Sequence, residues 1–183
     1  MAPHIEGSGI YLRGPAMADF NEWAALRATS RGFLTPWEPT WPGDDLTRTA
    51  FRRRLRRYMR DVREEQAFPF LVFRADHVLV GGCTLSNIRR GVTQSCSLGY
   101  WAGEPHAGKG HIGAAVRALV PFVFDELRLH RLEAACLPSN EASKRLLLKC
   151  GFTKEGYARA YLKIDGAWRD HELFAMLSTD PRA

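Results

Sequence analysis

The sequence predicts a mixed α/β fold of the α+β kind, a largely antiparallel sheet with flanking helices. Three observations carry that expectation. Between Phe68 and Ala102 three short apolar runs follow one another through tight turns, with no room for a helix between them. Segments 17–30, 46–66 and 112–127 instead repeat apolar residues at helical spacing. Near the end, Asp165-Gly166 separates two β-rich runs, a strong hairpin signal.

Taken in order, Ile10–Arg13 is a short strand ended by Gly14-Pro15. The helix 17–30 follows, with Phe20, Trp23, Ala24 and Arg27 on one stripe and Asp19 and Glu22 near its start, where the macrodipole favours acids. In 31–43 the prolines at 36, 39 and 42 argue against a helix, while Phe33, Leu34, Trp37 and Trp41 are costly to leave in water. This stretch is either a packed connector or, preferably, the aromatic lip of a binding site. Leu46–Gln66 is an amphipathic helix whose apolar stripe (Phe51, Leu55, Tyr58, Met59, Val62) is surrounded by seven arginines between Arg52 and Arg63. Such a face is either simply solvated or meets an anionic partner such as ribosomal RNA. Strands at 68–74, 78–87 and 93–102 come next, the last entering a glycine-rich loop. After the helix that begins near Ile112, with Pro121 expected to kink it, the chain continues as a strand at 130–137 and a helix at 140–149. Pro138 and Ser139 precede that helix and Gly151 ends it. Two final strands at 157–164 and 168–177 complete the order β-α-α-β-β-β-α-β-α-β-β.

The loop around Gly108, Lys109, Gly110, His111, Ile112 and Gly113 opens a helix. Unpaired amides and the positive end of the macrodipole make such a turn suited to phosphate. Three phosphate readings fit: a dinucleotide fingerprint, most of a nucleotide P-loop, and the pyrophosphate loop of an acetyl-CoA-dependent acetyltransferase. An ordinary glycine-rich turn fits as well. A dinucleotide domain would open with its fingerprint and continue as β-α-β, whereas here it follows an antiparallel block. In the P-loop reading Gly110 stands where a Mg²⁺-ligating Ser or Thr belongs.

With 183 residues the chain is expected to be one domain spanning 1–183, its core about 10–177. Apolar and charged fractions of 45% and 25% are those of an ordinary water-soluble protein, and the net charge of +6 favours an acidic surface or nucleic acid. Cys83, Cys96, Cys136 and Cys150 show no metal spacing and read as buried free thiols of a reducing cytoplasm. No signal peptide and no membrane span is expected.

At this point the chain resembles the GCN5-related N-acetyltransferase (GNAT) superfamily, and more narrowly its RimJ-like ribosomal-protein alanine N-acetyltransferases. The residues that carry the likeness are Phe33-Leu34-Thr35-Pro36-Trp37-Glu38-Pro39, Leu98-Gly99-Tyr100, Gly108-Lys109-Gly110, His130-Arg131, Asn140, Gly151-Phe152, Lys154-Glu155-Gly156-Tyr157, Asp165-Gly166 and Trp168-Arg169-Asp170-His171. The resemblance implies a sheet splayed into a V-shaped cleft and acetyl-CoA as cosubstrate, without a metal. Backbone of Tyr100, Trp101 and Ala102 would pair with pantetheine, residues 108–113 would hold the pyrophosphate, and Asn140 and Ser143 would flank pantetheine and thiol. It also implies an acceptor that is the N-terminal α-amine of a ribosomal protein, probed by Phe33, Trp37, Glu38 and Trp41. Ribosome or RNA contact would run through helix 46–66. The sequence departs from the family at Ala107, where Gln or Arg is usual, at Ile112, where Gly or Ala is usual, and at Leu147, where many relatives have an acid-donating Tyr.

An α-amine with a pKa of about 8 is mostly protonated at neutral pH, so something must take its proton. Glu38 is the candidate base and Ser143 the candidate acid or positioner. His106 and His111 read better as exposed loop residues. Asp170 and His171, consecutive on a strand, point to opposite faces and read as structural. Transfer to a small-molecule amine, or a non-catalytic CoA-binding module on the ribosome, are the alternatives.

Overall fold

The structure, a computed structural model, describes residues 2–182. Its strands are β1 (Ile5–Gly7), β2 (Ile10–Arg13), β3 (Phe68–Arg74), β4 (Leu79–Arg89), β5 (Ser95–Ala102), β6 (Arg131–Cys136), β7 (Thr153–Ile164) and β8 (Ala167–Leu177). Its helices are α1 (Phe20–Thr29), α2 (Arg31–Leu34), α3 (Arg48–Arg63), α4 (His111–Pro121) and α5 (Glu141–Lys149). The strands make one sheet in the order β1-β2-β3-β4-β5-β6-β8-β7, and every adjacent pair is antiparallel except β5–β6. The expected mixed, mostly antiparallel sheet with flanking helices is what the chain adopts.

Both faces of β3 are covered, which is why it reads as an unbroken apolar run. Phe68, Phe70 and Val72 join the main core under α4, while Leu71 and Phe73 join a second cluster with Trp23, Phe51 and Leu55 under α1 and α3. From α4 the main core receives Ala115, Val116 and Leu119, all fully buried. Truncating one such Leu to Ala costs about 2–5 kcal/mol. Helix α3 starts at Thr47, whose hydroxyl accepts from the Ala50 amide. Helix α5 starts at Asn140, whose carbonyl oxygen accepts from the Ser143 amide.

Two local features differ from expectation, and a third, at Pro121, gives the expected disturbance of the helix its form. Segment 31–37 is helical, as α2 followed by a 3₁₀ turn over Thr35–Trp37. Pro36 lies in the first turn, where the missing N–H has no partner to lose. Pro121 does not break its helix. It ends the α-type winding and hands over to a π-turn, Phe122–Glu126, closed by the Leu127 amide on the Phe122 carbonyl. Strand β1 is additional, a three-residue piece folded onto β2 through Gly9 at φ +70°. It is too short to carry a periodic signal.

The register of β5 creates the site. Its first half pairs with β6 from Ser95–Arg131 to Leu98–Ala134, and there the pairing stops. Its second half, Gly99–Ala102, stays paired only with β4, as far as Gly81–Ala102. The other edge of Gly99–Ala102 therefore faces a gap, the opening of a V. Gly81 and Gly82 let Trp101 lie close over β4: a Cβ on Gly82 would sit 2.5 Å from the indole Nε1, and one on Gly81 2.2 Å from the Trp101 carbonyl.

Candidate active site

The gap in the sheet widens into a cleft of about 740 Å³. Its walls are the free edge of β5 (Tyr100, Trp101, Ala102), the glycine loop and first turn of α4, the start of α5 (Asn140, Ser143), and the aromatic segment Phe33, Trp37 and Glu38. The structure thus brings onto one surface nearly all the residues singled out from the sequence. Trp41 stands behind Glu38 instead, stacked on Arg27 at 4.1 Å and Arg31 at 4.9 Å.

The glycine loop has the form anion binding needs. Gly108 and Gly110 take φ of +72° and +84°, a region other L-residues enter only at a cost, and Gly110 caps α4. The first α4 amide bonded within the helix is that of Ala114, on the Gly110 carbonyl. The amides of His111, Ile112 and Gly113 thus precede the helical ladder, at the positive end of the dipole. Ile112 is buried beneath the loop, so its departure from a small residue does not obstruct the amides. The loop is pinned to the acceptor wall by Ser30, a fully buried hydroxyl that accepts from the Glu104 amide at 2.8 Å.

Arg117, Arg145 and Lys149 add positive charge to the cleft wall from α4 and α5. Sequence reasoning passed over them. The one signal was the i, i+4 spacing of Arg145 and Lys149 on a helix that starts beside the loop. His106 and His111 meet edge to face at 6.5 Å. Burial and the nearby Lys109 hold the His106 ring below its ordinary pKa, so it is the neutral form that faces the loop.

Where α5 meets β5, the Tyr100 and Ser143 hydroxyls are 2.5 Å apart. Desolvation pushes the Tyr100 phenol well up, against a smaller opposing pull from its Ser143 hydrogen bond. It therefore keeps its proton at neutral pH and can donate it. Cys136, its thiol also raised by burial, leans on the same serine. Leu147, where the resemblance leads one to expect a tyrosine, is fully buried and belongs to the core. A phenol does reach this part of the cleft, but from β5 rather than α5. The sequence offered Tyr100 only as a backbone partner.

At the acceptor end, Glu38 is held by three donors. Arg27 Nη1 and Nη2 give a bidentate pair at 2.8 and 2.7 Å, and Trp41 Nε1 donates to Oε2 at 2.7 Å. Its backbone carbonyl accepts from the Asp165 amide at the tip of the β7–β8 hairpin. A carboxylate offers about four acceptor directions, so Oε1 retains one. Arg27 is buried and sandwiched between Trp41 and Trp101, 4.1 and 4.9 Å from their ring centres. It sat on the helical stripe of 17–30 in sequence, yet its partnership with Glu38 was not legible there.

Asp170 and His171 do diverge: Asp170 accepts from the Tyr157 hydroxyl and the Ala160 amide, and His171 is buried against its own strand. All four cysteines are buried and unpaired. Among the described residues no cluster of three or more His, Cys, Asp or Glu is arranged to hold a metal ion. No helix there is long and apolar enough to cross a membrane.

Comparison with known proteins agrees with this geometry. Residues 10–153 match the acetyltransferase (GNAT) domain family. A probable N-acetyltransferase of Bacillus subtilis is 37% identical over 177 residues, covering 96% of this chain and 98% of that protein. The ribosomal protein uS5-alanine N-acetyltransferase of Escherichia coli is 37% identical over 165 residues, 88% of this chain and 85% of that protein. Among solved structures, Mycobacterium smegmatis RimJ in complex with CoA-disulfide superposes with a TM-score of 0.89 at 30% identity, covering 96% of this chain and 86% of that one.

Proposed function

Because the chain belongs to the acetyltransferase (GNAT) family and is thereby an N-acetyltransferase, we propose that it moves acetyl from acetyl-CoA to the N-terminal α-amine of a ribosomal protein, alanine-led as for its E. coli relative. The observation that carries this reading is the convergence on one cleft of an unpaired strand edge, a cradle of helix-start amides and a carboxylate with one free lone pair. The thioester supplies the acetyl group. The free edge of Tyr100, Trp101 and Ala102 holds pantetheine, and Asn140 lies beside it. Residues Gly108, Lys109, Gly110, His111, Ile112 and Gly113 take the pyrophosphate, helped by Arg117, Arg145 and Lys149. Phe33 and Trp37 wall the acceptor, and Trp41 fixes Glu38 from behind.

In this reading Oε1 of Glu38 accepts a hydrogen bond from the acceptor ammonium, directly or through one water, and takes its proton. As the amine attacks, the departing sulfur needs a proton in return. Ser143 donates it and is resupplied through its hydrogen bond to the Tyr100 phenol, which in turn regains a proton from solvent; burial disfavours the phenolate and so makes its lifetime short. Mass-spectrometric assay of alanine-led N-terminal peptides beside free small amines tests the proposal. Peptide turnover is the expected result; turnover of small amines alone, or of neither, overturns it.

The same reading places the protein in the cytoplasm and its arginine helix against the ribosome. Of that helix, Arg53 pairs with Asp44 and Arg54 with Asp45, whereas Arg52 and Arg56 are exposed and lack a carboxylate within 4.0 Å among the described residues. Reversing both to Glu is expected to weaken co-sedimentation with ribosomal particles. The logarithmic salt slope should flatten by about 0.7–0.9 per lost phosphate contact. Unchanged binding and slope would leave the helix a solvated face.

A further inference from the structure

Behind Glu38 and Trp101 lies a second cavity of about 260 Å³, on the acceptor side. Glu38 and Trp101 line both spaces, so they form the partition between cleft and cavity. The cavity is enclosed by α1, α3, β3 and β4. Its charge is inverted relative to what a bare amine requires. Arg27, Arg54 and Arg57 line it, against the single carboxylate of Glu38.

Two of these arginines already have a carboxylate partner, and the third, Arg57, has none among the described residues. Arg54 is committed to the buried Asp45 carboxylate and stacks on Trp23. Arg27 gives both Nη groups to Glu38, but its Nε is buried and has no hydrogen-bond partner. That nitrogen is closed off from solvent, so the cationic group left to meet a ligand in the cavity is Arg57. Arg57 has no carboxylate within 4.0 Å among the described residues and touches only the Tyr58 ring, 5.5 Å from its centre. A ligand that fits offers a positive end to Glu38 and an anionic one to Arg57.

We propose that this cavity is a specificity subsite for an acidic side chain within the first few residues of the acceptor, so that the preferred N-termini are not merely alanine-led but carry an early Asp or Glu. The proposal rests on the N-terminal acetylation reading above. The acceptor enters over α3, its α-amine reaches past Glu38 to the cleft, and its carboxylate is held by a charge-assisted hydrogen bond from Arg57. Arg57 is exposed on a regular helix, so replacing it leaves the fold intact.

The experiment uses alanine-led peptides with Glu, Gln or Lys scanned through the second, third and fourth positions, assayed with the wild-type chain and with Arg57→Glu. The wild type is expected to prefer a Glu peptide over its Gln counterpart by about tenfold or more in kcat/KM, the scale of one charge-assisted hydrogen bond. That preference should appear at one position of the scan, and Arg57→Glu should transfer it to the Lys peptide at that same position. Equal turnover of Glu, Gln and Lys peptides by the wild type overturns the subsite while leaving N-terminal acetylation standing. So does a Glu preference that survives Arg57→Glu. A chain that acetylates none of the peptides overturns both.

Discussion

Replacing Glu38 by Gln is expected to lower kcat by on the order of a hundredfold or more, the usual weight of a positioned general base, with little change in the KM for acetyl-CoA. The selectivity follows from where Glu38 sits: it faces the acceptor space, and the glycine loop is held by other contacts. Gln can still accept from Trp41 and from one Arg27 nitrogen, but it cannot take a proton, and it leaves a mostly buried guanidinium with a neutral partner. The same variant should therefore also be about 1–3 kcal/mol less stable. Kinetics on the folded fraction, beside a thermal melt, separate the two effects. A normal kcat in a destabilised protein would make Glu38 a strut rather than a proton acceptor.

The second large effect is expected at the hydroxyl pair. Ser143→Ala removes the proposed proton donor and should lower kcat on the order of a hundredfold. The helix start survives, because Asn140 caps the backbone amide of residue 143 and not its side chain. Tyr100→Phe keeps the ring and deletes one oxygen, so its loss is smaller. If Tyr100 works through Ser143, the double variant is no worse than Ser143→Ala alone, a strongly non-additive cycle. Losses that multiply would mean the two hydroxyls act separately. Two unaffected variants would mean that solvent returns the proton. In the wild type, kcat should hold across the ordinary tyrosine range and fall only above it, because burial raises the phenol.

Much of the fold was legible because short-range chemistry and long-range packing agree in it. The apolar runs of β3 to β5, the Asp165-Gly166 turn and the Gly151 stop after α5 each mean locally what they mean in the finished molecule. The glycine loop was legible for the same reason, since Gly108 and Gly110 are glycines for their own dihedral angles. What escaped notice depends on partners far along the chain or on small energy differences. Proline spacing in 31–43 argued against helix, yet a single 3₁₀ turn accepts Pro36 in its first positions. The mild widening that accommodates Pro121 leaves no trace in periodicity. The bidentate grip of Arg27 on Glu38 joins a helix to a loop, and the Tyr100–Ser143 contact spans 43 residues. Neither leaves a spacing in the sequence. Residue types named the candidates; only topology said which of them touch.

The position of β8 has a consequence in time. It leaves the ribosome after every other described strand, yet it lies inside the sheet, between β6 and β7. Until Ala167–Leu177 emerges, one edge of β6 is bare, and the amide of Asp165 that steadies Glu38 belongs to a hairpin with a single arm. A nascent chain holding everything through α5 thus has its nucleotide cradle but a frayed sheet and an unsecured proton acceptor. Catalytic competence waits for β8 to emerge.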